Sequence, residues 1–129
     1  MVRGAHIRHA AAGVLLAAAF LCAPAALARA TPEALQDVAI AELPKEAREV
    51  LVLIRDGGPF RYDRDGVVFG NYERLLPSER KGYSHEYTVH TPGTKSRGAR
   101  RIICGGPKRA PDACYYTSDH YRSFKRIRE

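Results

Sequence analysis

The clearest periodic pattern in the chain predicts one long helix over residues 44 to about 55. Apolar residues recur there every three or four positions, at Ala47, Val50, Leu51 and Ile54. Glutamates near the start suit the positive end of the helix dipole, and the DGGP sequence at residues 56–59 ends the helix. The apolar face of this helix must be covered by other elements.

After the helix, the pattern changes to short β-rich runs separated by turn signals such as GGP, RDG and TPG. Strands are predicted over residues 38–41, 67–69, 83–91, 99–104, 114–117 and 121–127, and a helical turn at residues 31–33. One helix followed by a run of strands predicts an α+β fold, with one main N-terminal helix packed on a twisted antiparallel β-sheet.

Alternation along two neighbouring strands predicts that Glu86 and Arg101 lie on the same, open face of the sheet. Residues two apart along a strand share a face. Four apolar residues have the opposite parity and would cover the helix: Tyr87, Val89, Ile102 and Cys104. The two charged side chains are then either an ordinary cross-strand ion pair or part of a functional site, and parity alone favours the ion pair.

The first thirty residues have the pattern of a secretory signal peptide. Arg3 and Arg8 precede an apolar run over residues 10–20, and small residues at cleavage-site spacing follow it. The run is short for a membrane span, which needs about 20 residues. We therefore expect a signal peptide over residues 1–30, cleaved near Ala28 or Ala30, and one secreted domain over residues 31–129 with no membrane contact after processing.

The charge of the predicted domain is mildly positive. The net charge falls from +7 to +4 once Arg3, Arg8 and Arg29 are removed with the signal peptide. This excess favours a polyanionic partner but does not establish one, because many small secreted proteins carry such a charge.

Two cysteines remain in the domain, Cys104 and Cys114. In an oxidising compartment the pair forms either a disulfide or two buried thiols. Two cysteines are too few for a zinc site, and no histidine of the domain has the spacing to complete one. No metal or other cofactor is expected.

A series of short segments runs in order through nearly the whole domain. They are LP at 43–44, EA at 46–47, GPF at 58–60, DGVVF at 65–69, N71, E73, LP at 76–77, HEYTV at 85–89, TPG at 91–93, RG at 97–98, RRII at 100–103, YYT at 115–117, DHY at 119–121 and SF at 123–124. None is specific alone, but their order and spacing resemble the small bacterial guanyl-specific ribonucleases, the barnase group and its streptomycete-type relatives. The resemblance implies the microbial ribonuclease fold.

The resemblance also implies a metal-independent endoribonuclease that cleaves single-stranded RNA on the 3′ side of guanosine. Glu86 matches the family's base for the ribose 2′-hydroxyl, and His120 matches the acid for the departing 5′-oxygen. Arg97 and Arg101 match its two phosphate-binding arginines. The product would be a 2′,3′-cyclic phosphate, hydrolysed afterwards with the acid and base roles exchanged.

Base recognition is expected in the loop at residues 69–73. Glu73 matches the family's guanine-binding glutamate, and backbone amides near Asn71 and Tyr72 would reach the guanine O6. The family commonly has arginine where this chain has Tyr72, so a phosphate contact is weakened here or Tyr72 stacks on a base. The residues expected to bind substrate are Phe69, Gly70, Asn71, Tyr72, Glu73 and Tyr121.

The resemblance implies RNA as the substrate, a monomer, and a small acidic barstar-like inhibitor that covers the basic active-site face. The alternative is a catalytically silent secreted RNA-binding or antimicrobial protein on the same scaffold. The presence of all four matched catalytic residues argues against this alternative.

Overall fold

The computed structural model describes residues 13–14 and 34–129. Apart from Gly13 and Val14, the predicted signal peptide lies outside these residues, as does the predicted helical turn at residues 31–33. The signal peptide and the domain boundary at residue 30 therefore stay predictions. Within the described ranges, no helix is both long and apolar enough to cross a membrane.

The described domain has one α-helix and six strands. In chain order these are β1 (Gln36–Ala39), a short 3₁₀ turn (Ile40–Glu42), α1 (Lys45–Asp56), β2 (Val67–Val68), β3 (Ser84–Thr88), β4 (Arg101–Gly105), β5 (Ala113–Thr117) and β6 (Lys125–Arg128). The strands form a single sheet in the order β1-β6-β5-β4-β3-β2. The α+β fold is confirmed.

The sheet is mixed rather than purely antiparallel. Neighbouring strands run antiparallel from β2 to β6, but β1 pairs with β6 in parallel. The antiparallel prediction is wrong for this one pair, because the alternation of side chains along a strand is the same in both kinds of pairing. β1 is therefore an edge strand, and its neighbour in the sheet, β6, is the last strand in the chain.

Helix α1 occurs within one residue of its predicted bounds. It begins after Pro44, whose carbonyl accepts the N–H groups of Ala47 and Arg48 at 3.0 and 3.2 Å. It ends at Gly57, whose φ of 83° is the left-handed conformation that suits glycine at a helix C-terminus. The helix buries Ala47, Leu51 and Ile54 against the sheet.

The two faces of the sheet carry two separate hydrophobic clusters. The cluster under α1 includes Tyr87, Val89, Ile102 and Cys104, which confirms the parity prediction. The other face is only partly open, because loop residues Leu76 and Phe124 pack onto Ile103 and Tyr115 there. Only 6% of Glu86 and 2% of Arg101 are therefore exposed. Buried charges of this kind need hydrogen-bond partners, and these partners build the site described below.

Cys104 and Cys114 face each other across β4 and β5 and are joined by a disulfide. Of the two alternatives for this pair, the disulfide is confirmed. It ties the two central strands together beneath α1.

Candidate active site

A cavity of about 390 Å³ opens on the face of the sheet opposite α1. It brings together nine of the predicted site residues, namely Phe69, Gly70, Asn71, Tyr72, Glu73, Glu86, Arg97, His120 and Tyr121. Arg101 does not line the cavity and lies beneath it. A larger cleft of about 620 Å³ lies on the helix side and contains none of these residues.

Glu86 is the buried carboxylate at the centre of the cavity. Its Oε2 accepts a hydrogen bond from the Tyr121 hydroxyl at 2.6 Å. Its Oε1 lies 3.4 Å from Nη2 of Arg64 and 4.0 Å from Nη2 of Arg97. Both oxygens thus face hydrogen-bond donors or cations.

Arg97 is fixed against the sheet by the buried hydroxyl of Thr88. The Nε and Nη2 groups of Arg97 donate to Thr88 Oγ1 at 3.1 and 2.9 Å. The next residue, Gly98, has a φ of 65°, and a Cβ there would lie 2.8 Å from Thr91 Oγ1. Only glycine fits this close approach, which brings the Arg97 backbone down beside β3.

Arg101 is the most buried charge of the site. Its Nη1 donates to the Arg100 carbonyl at 2.8 Å, and its Nε donates to the Tyr121 hydroxyl at 3.2 Å. Arg101 lies opposite Thr88 in the sheet, and Glu86 lies opposite Ile103. The direct cross-strand ion pair with Glu86 that the sequence allowed is therefore replaced by a bridge through Tyr121.

Tyr121 links the charged part of the site to its aromatic floor. Burial, and secondly the hydrogen bond to Glu86, raise the pKa of the Tyr121 phenol above its usual value. The hydroxyl therefore stays protonated near neutral pH and acts as a donor. The ring stacks on Phe69 with centroids 5.5 Å apart and also contacts Phe124.

His120 is presented to the cavity by a strained turn after β5. His120 and Tyr121 have φ values of 55° and 69°, which are unusual for two successive residues other than glycine. The His120 N–H donates to the Ala99 carbonyl at 3.0 Å, and the Tyr121 N–H to Thr117 Oγ1 at 3.2 Å. The imidazole itself is exposed, 4.9 Å from the Tyr121 ring. Strain held in place by surrounding hydrogen bonds is common at functional sites.

The carboxylate of Asp119 holds this turn together. It accepts the Thr117 hydroxyl at 2.8 Å, the Ser123 N–H at 3.0 Å and the Ser123 hydroxyl. The Ser123 hydroxyl is the main cause that lowers the pKa of Asp119. Asp119 therefore sets the position of His120 through the backbone.

The predicted recognition loop is shaped from within by Asn71. Asn71 has a φ of 50°, and its side chain accepts the Leu76 N–H at 3.2 Å and donates to the Leu76 carbonyl at 3.0 Å. The Asn71 side chain is thus committed to the loop itself, and any contact it makes with a base would come from its backbone. Tyr72 is 94% exposed, and its ring lies over Gly70, where a Cβ would be only 2.6 Å away. The Glu73 carboxylate is exposed beside the cavity.

Arg64 is a charged residue of the cavity that the sequence did not indicate. It lies in the turn before β2, and its guanidinium reaches the Glu86 carboxylate. An arginine in an RDG turn looks like an ordinary solvated charge. Its position beside Glu86 follows from the pairing of the next strand, β2, with β3, which the sequence pattern did not predict.

No group of three or more His, Cys, Asp or Glu side chains within the described ranges is arranged to hold a metal ion.

Comparisons with known proteins agree with this geometry. A family model described as ribonuclease matches residues 27–128. Guanyl-specific ribonuclease Sa3 of Kitasatospora aureofaciens is 52% identical over 98 residues, covering 76% of this chain and 67% of that protein. Guanyl-specific ribonuclease Sa of the same organism is 52% identical over 90 residues, covering 70% of this chain and 91% of that protein.

Solved structures give the same result. Ribonuclease Sa2 in complexes with mononucleotides superposes with a TM-score of 0.69 at 46% identity, covering 74% of this chain and 96% of that chain. Ribonuclease Sa2 with guanosine-2′-cyclophosphate superposes with a TM-score of 0.67 at 46% identity, covering 74% of this chain and 97% of that chain.

Proposed function

This chain belongs to the guanyl-specific ribonuclease family, and from that premise we propose that it cleaves single-stranded RNA on the 3′ side of guanosine. The observation that carries the proposal is the cavity that Glu86, Arg97, His120 and Tyr121 share with the loop at residues 69–73. A proton acceptor, a cation and a titratable imidazole meet there beside an exposed carboxylate that can select a base.

In the first step, Glu86 takes the proton from the ribose 2′-hydroxyl. The 2′-oxygen forms a bond to phosphorus, and the bond from phosphorus to the 5′-oxygen breaks. Protonated His120 donates a proton to that leaving oxygen. The products are a 2′,3′-cyclic phosphate and a free 5′-hydroxyl.

In the second step, the proton transfers run in reverse. Neutral His120 takes a proton from water, which attacks phosphorus, and protonated Glu86 returns its proton to the departing 2′-oxygen. The final product is a 3′-phosphate. This sequence returns both side chains to their starting states, so no further proton donor is needed.

The two arginines stabilise the negative charge that develops on the phosphoryl oxygens. Arg97 lines the cavity and is preset by Thr88, so its guanidinium needs little reorientation when substrate binds. Arg101 is buried and acts from below the cavity, both through its charge and through the Tyr121 hydroxyl.

Guanine selection is assigned to Glu73. A carboxylate accepts from both N1–H and the exocyclic amine of guanine, a donor pair that adenine does not present. Ribonuclease Sa2, a relative with solved structures, binds guanosine-2′-cyclophosphate and 3′-GMP. Phe69, Tyr72 and Tyr121 offer aromatic surface to the base.

The domain over residues 31–129 is proposed to act outside the cell as a monomer, after removal of a signal peptide over residues 1–30. The disulfide between Cys104 and Cys114 supports an oxidising compartment. A small acidic inhibitor is proposed to bind over the cavity through the cations Arg64 and Arg97, which flank Glu86.

The test is cleavage of an RNA oligonucleotide that contains a single guanosine, in the presence of a chelator. We expect a cut after that guanosine, with a 2′,3′-cyclic phosphate as the first product. Glu86→Gln and His120→Ala should each lower kcat/KM by at least about 100-fold, which is the usual contribution of a general acid or base. The control is Arg48→Gln, which changes an exposed residue of α1. Binding of the RNA without cleavage would instead support a silent RNA-binding protein.

A further inference from the structure

We infer that Arg64 is a third phosphate-binding cation of the cavity, which pairs with Glu86 in the free enzyme and binds an oxygen of the scissile phosphate in the RNA complex. This inference rests on the proposed function. It assigns a substrate contact to a residue outside the set that the sequence indicated.

The backbone of Arg64 is anchored directly beside the catalytic strand. The next residue, Asp65, accepts the Thr88 N–H at 2.7 Å and the Tyr62 N–H at 3.1 Å. Gly66 donates its N–H to the Glu86 carbonyl at 2.8 Å. The turn is therefore fixed to β3 at Glu86 and at Thr88, which places the Arg64 backbone beside the catalytic carboxylate.

The side chain of Arg64, by contrast, is held by a single weak contact. It is 65% exposed and makes one hydrogen bond to a described residue, a 3.4 Å bond to Glu86 Oε1. Arg97 and Arg101 are held by Thr88, by backbone carbonyls and by Tyr121. Arg64 is therefore the cation of the cavity that is free to move onto a ligand.

The proton transfer itself favours this movement. In the free enzyme, Arg64 and Arg97 both approach the same oxygen, Glu86 Oε1. When Glu86 takes the 2′-hydroxyl proton it loses its negative charge, and at the same moment negative charge grows on the phosphoryl oxygens. The attraction on Arg64 thus shifts from the carboxylate to the phosphate, which must lie beside Glu86 because the 2′-oxygen attacks it. Guanidinium groups suit such phosphate contacts well.

The experiment compares Arg64→Gln with Arg61→Gln. Arg61 lies in the same turn and is exposed, but it points at Tyr62 and does not line the cavity. Each variant removes one positive charge from the same loop. We expect Arg64→Gln to weaken binding of guanosine 3′-monophosphate about tenfold and to leave binding of guanosine, which has no phosphate, unchanged. Arg61→Gln should change neither affinity.

Cleavage gives a second readout. The slope of log kcat/KM against log salt concentration should become shallower by about 0.7 in Arg64→Gln, as expected for the loss of one contact to single-stranded nucleic acid. Arg64→Lys keeps the charge and should recover most of this slope. Melting temperatures of all variants check that the fold is kept.

Three results would overturn the inference. Arg64→Gln could behave like Arg61→Gln, it could weaken guanosine as much as guanosine 3′-monophosphate, or it could bind the phosphate more tightly than the unaltered protein. Failure of the unaltered protein to cut RNA would instead count against the proposed function. The nucleotide-binding comparison would still report on Arg64 in that case.

Discussion

The hydroxyl of Tyr121 donates a 2.6 Å hydrogen bond to Oε2 of Glu86. This contact gives the two carboxylate oxygens different surroundings. Oε2 is engaged by a neutral donor, whereas Oε1 faces the guanidinium groups of Arg64 and Arg97 at the cavity. The same hydroxyl accepts from Arg101, so one phenol orients the proposed base and also satisfies the deepest cation.

Removing only this hydroxyl, in Tyr121→Phe, should lower kcat/KM about 10- to 100-fold. The aromatic floor stays, but Glu86 loses the donor that orients it and Arg101 loses an acceptor while still buried. The free energy of unfolding should fall by about 1–3 kcal/mol, the usual cost of unpaired buried polar groups. Steady-state kinetics and urea unfolding measure the two effects. Unchanged kinetics would show that the bridge is not used.

The Thr88 hydroxyl should matter for catalysis although it touches no substrate. Thr88→Val keeps the shape of the side chain and removes the acceptor of both Arg97 hydrogen bonds. We expect kcat to fall about tenfold because the guanidinium is no longer preset. Thr94→Val removes a hydroxyl from the connection that carries Arg97, where it bonds only backbone carbonyls, and serves as the control. Equal kinetics for the two variants would contradict this role.

Asp119 should make the domain less stable at acid pH. Its folded pKa lies below the usual value of 3.8, so its contribution to stability is complete above about pH 4 and is lost as the pH falls through the folded value. Asp119→Asn should lower the free energy of unfolding by about 1–2 kcal/mol at neutral pH, because its hydrogen bonds to Thr117 and Ser123 are weaker. The variant should also lose less stability than the unaltered protein as the pH falls. Urea unfolding at several pH values measures both. An unchanged pH slope would rule out Asp119 as the source.

Asn71 should control substrate selection through the shape of the loop. Asn71→Gly keeps access to the left-handed φ and removes the side-chain bonds to Leu76 and Pro77, whereas Asn71→Ala also strains the backbone. We expect Asn71→Gly to raise KM for guanosine substrates about tenfold with kcat little changed, and Asn71→Ala to be less stable as well. If KM is the same in Asn71→Gly and the unaltered protein, the side chain does not shape the base site.

Local covalent geometry explains what the sequence could predict. The parity of β3 and β4 follows from the two-residue repeat of a strand, so it correctly separated Tyr87 and Ile102 from Glu86 and Arg101. The helix could be predicted equally well, because its apolar repeat and the glycine that ends it are both local sequence features. The assignment of chemical roles came from the family resemblance and not from these patterns.

Contacts that depend on register or on long side chains could not be predicted in this way. Arg101 lies opposite Thr88 and not Glu86, a register set by the whole connection between β3 and β4. Phe124 packs on the face of the sheet opposite α1 from the loop before β6, although the sequence predicted a strand there. Arg64 reaches Glu86 from a turn whose sequence is no different from that of a solvated one.

The parallel pairing of β1 with β6 gives the domain an unusual order of assembly. Gln36–Ala39 leaves the ribosome long before Lys125–Arg128, the one strand with which it pairs among the described residues. During synthesis β1 thus has no partner strand. Pairing it with β6 closes a loop that contains nearly the whole domain, which is slow compared with forming the local hairpins. β1 can therefore pair with β6 only after the last residues of the domain have been made.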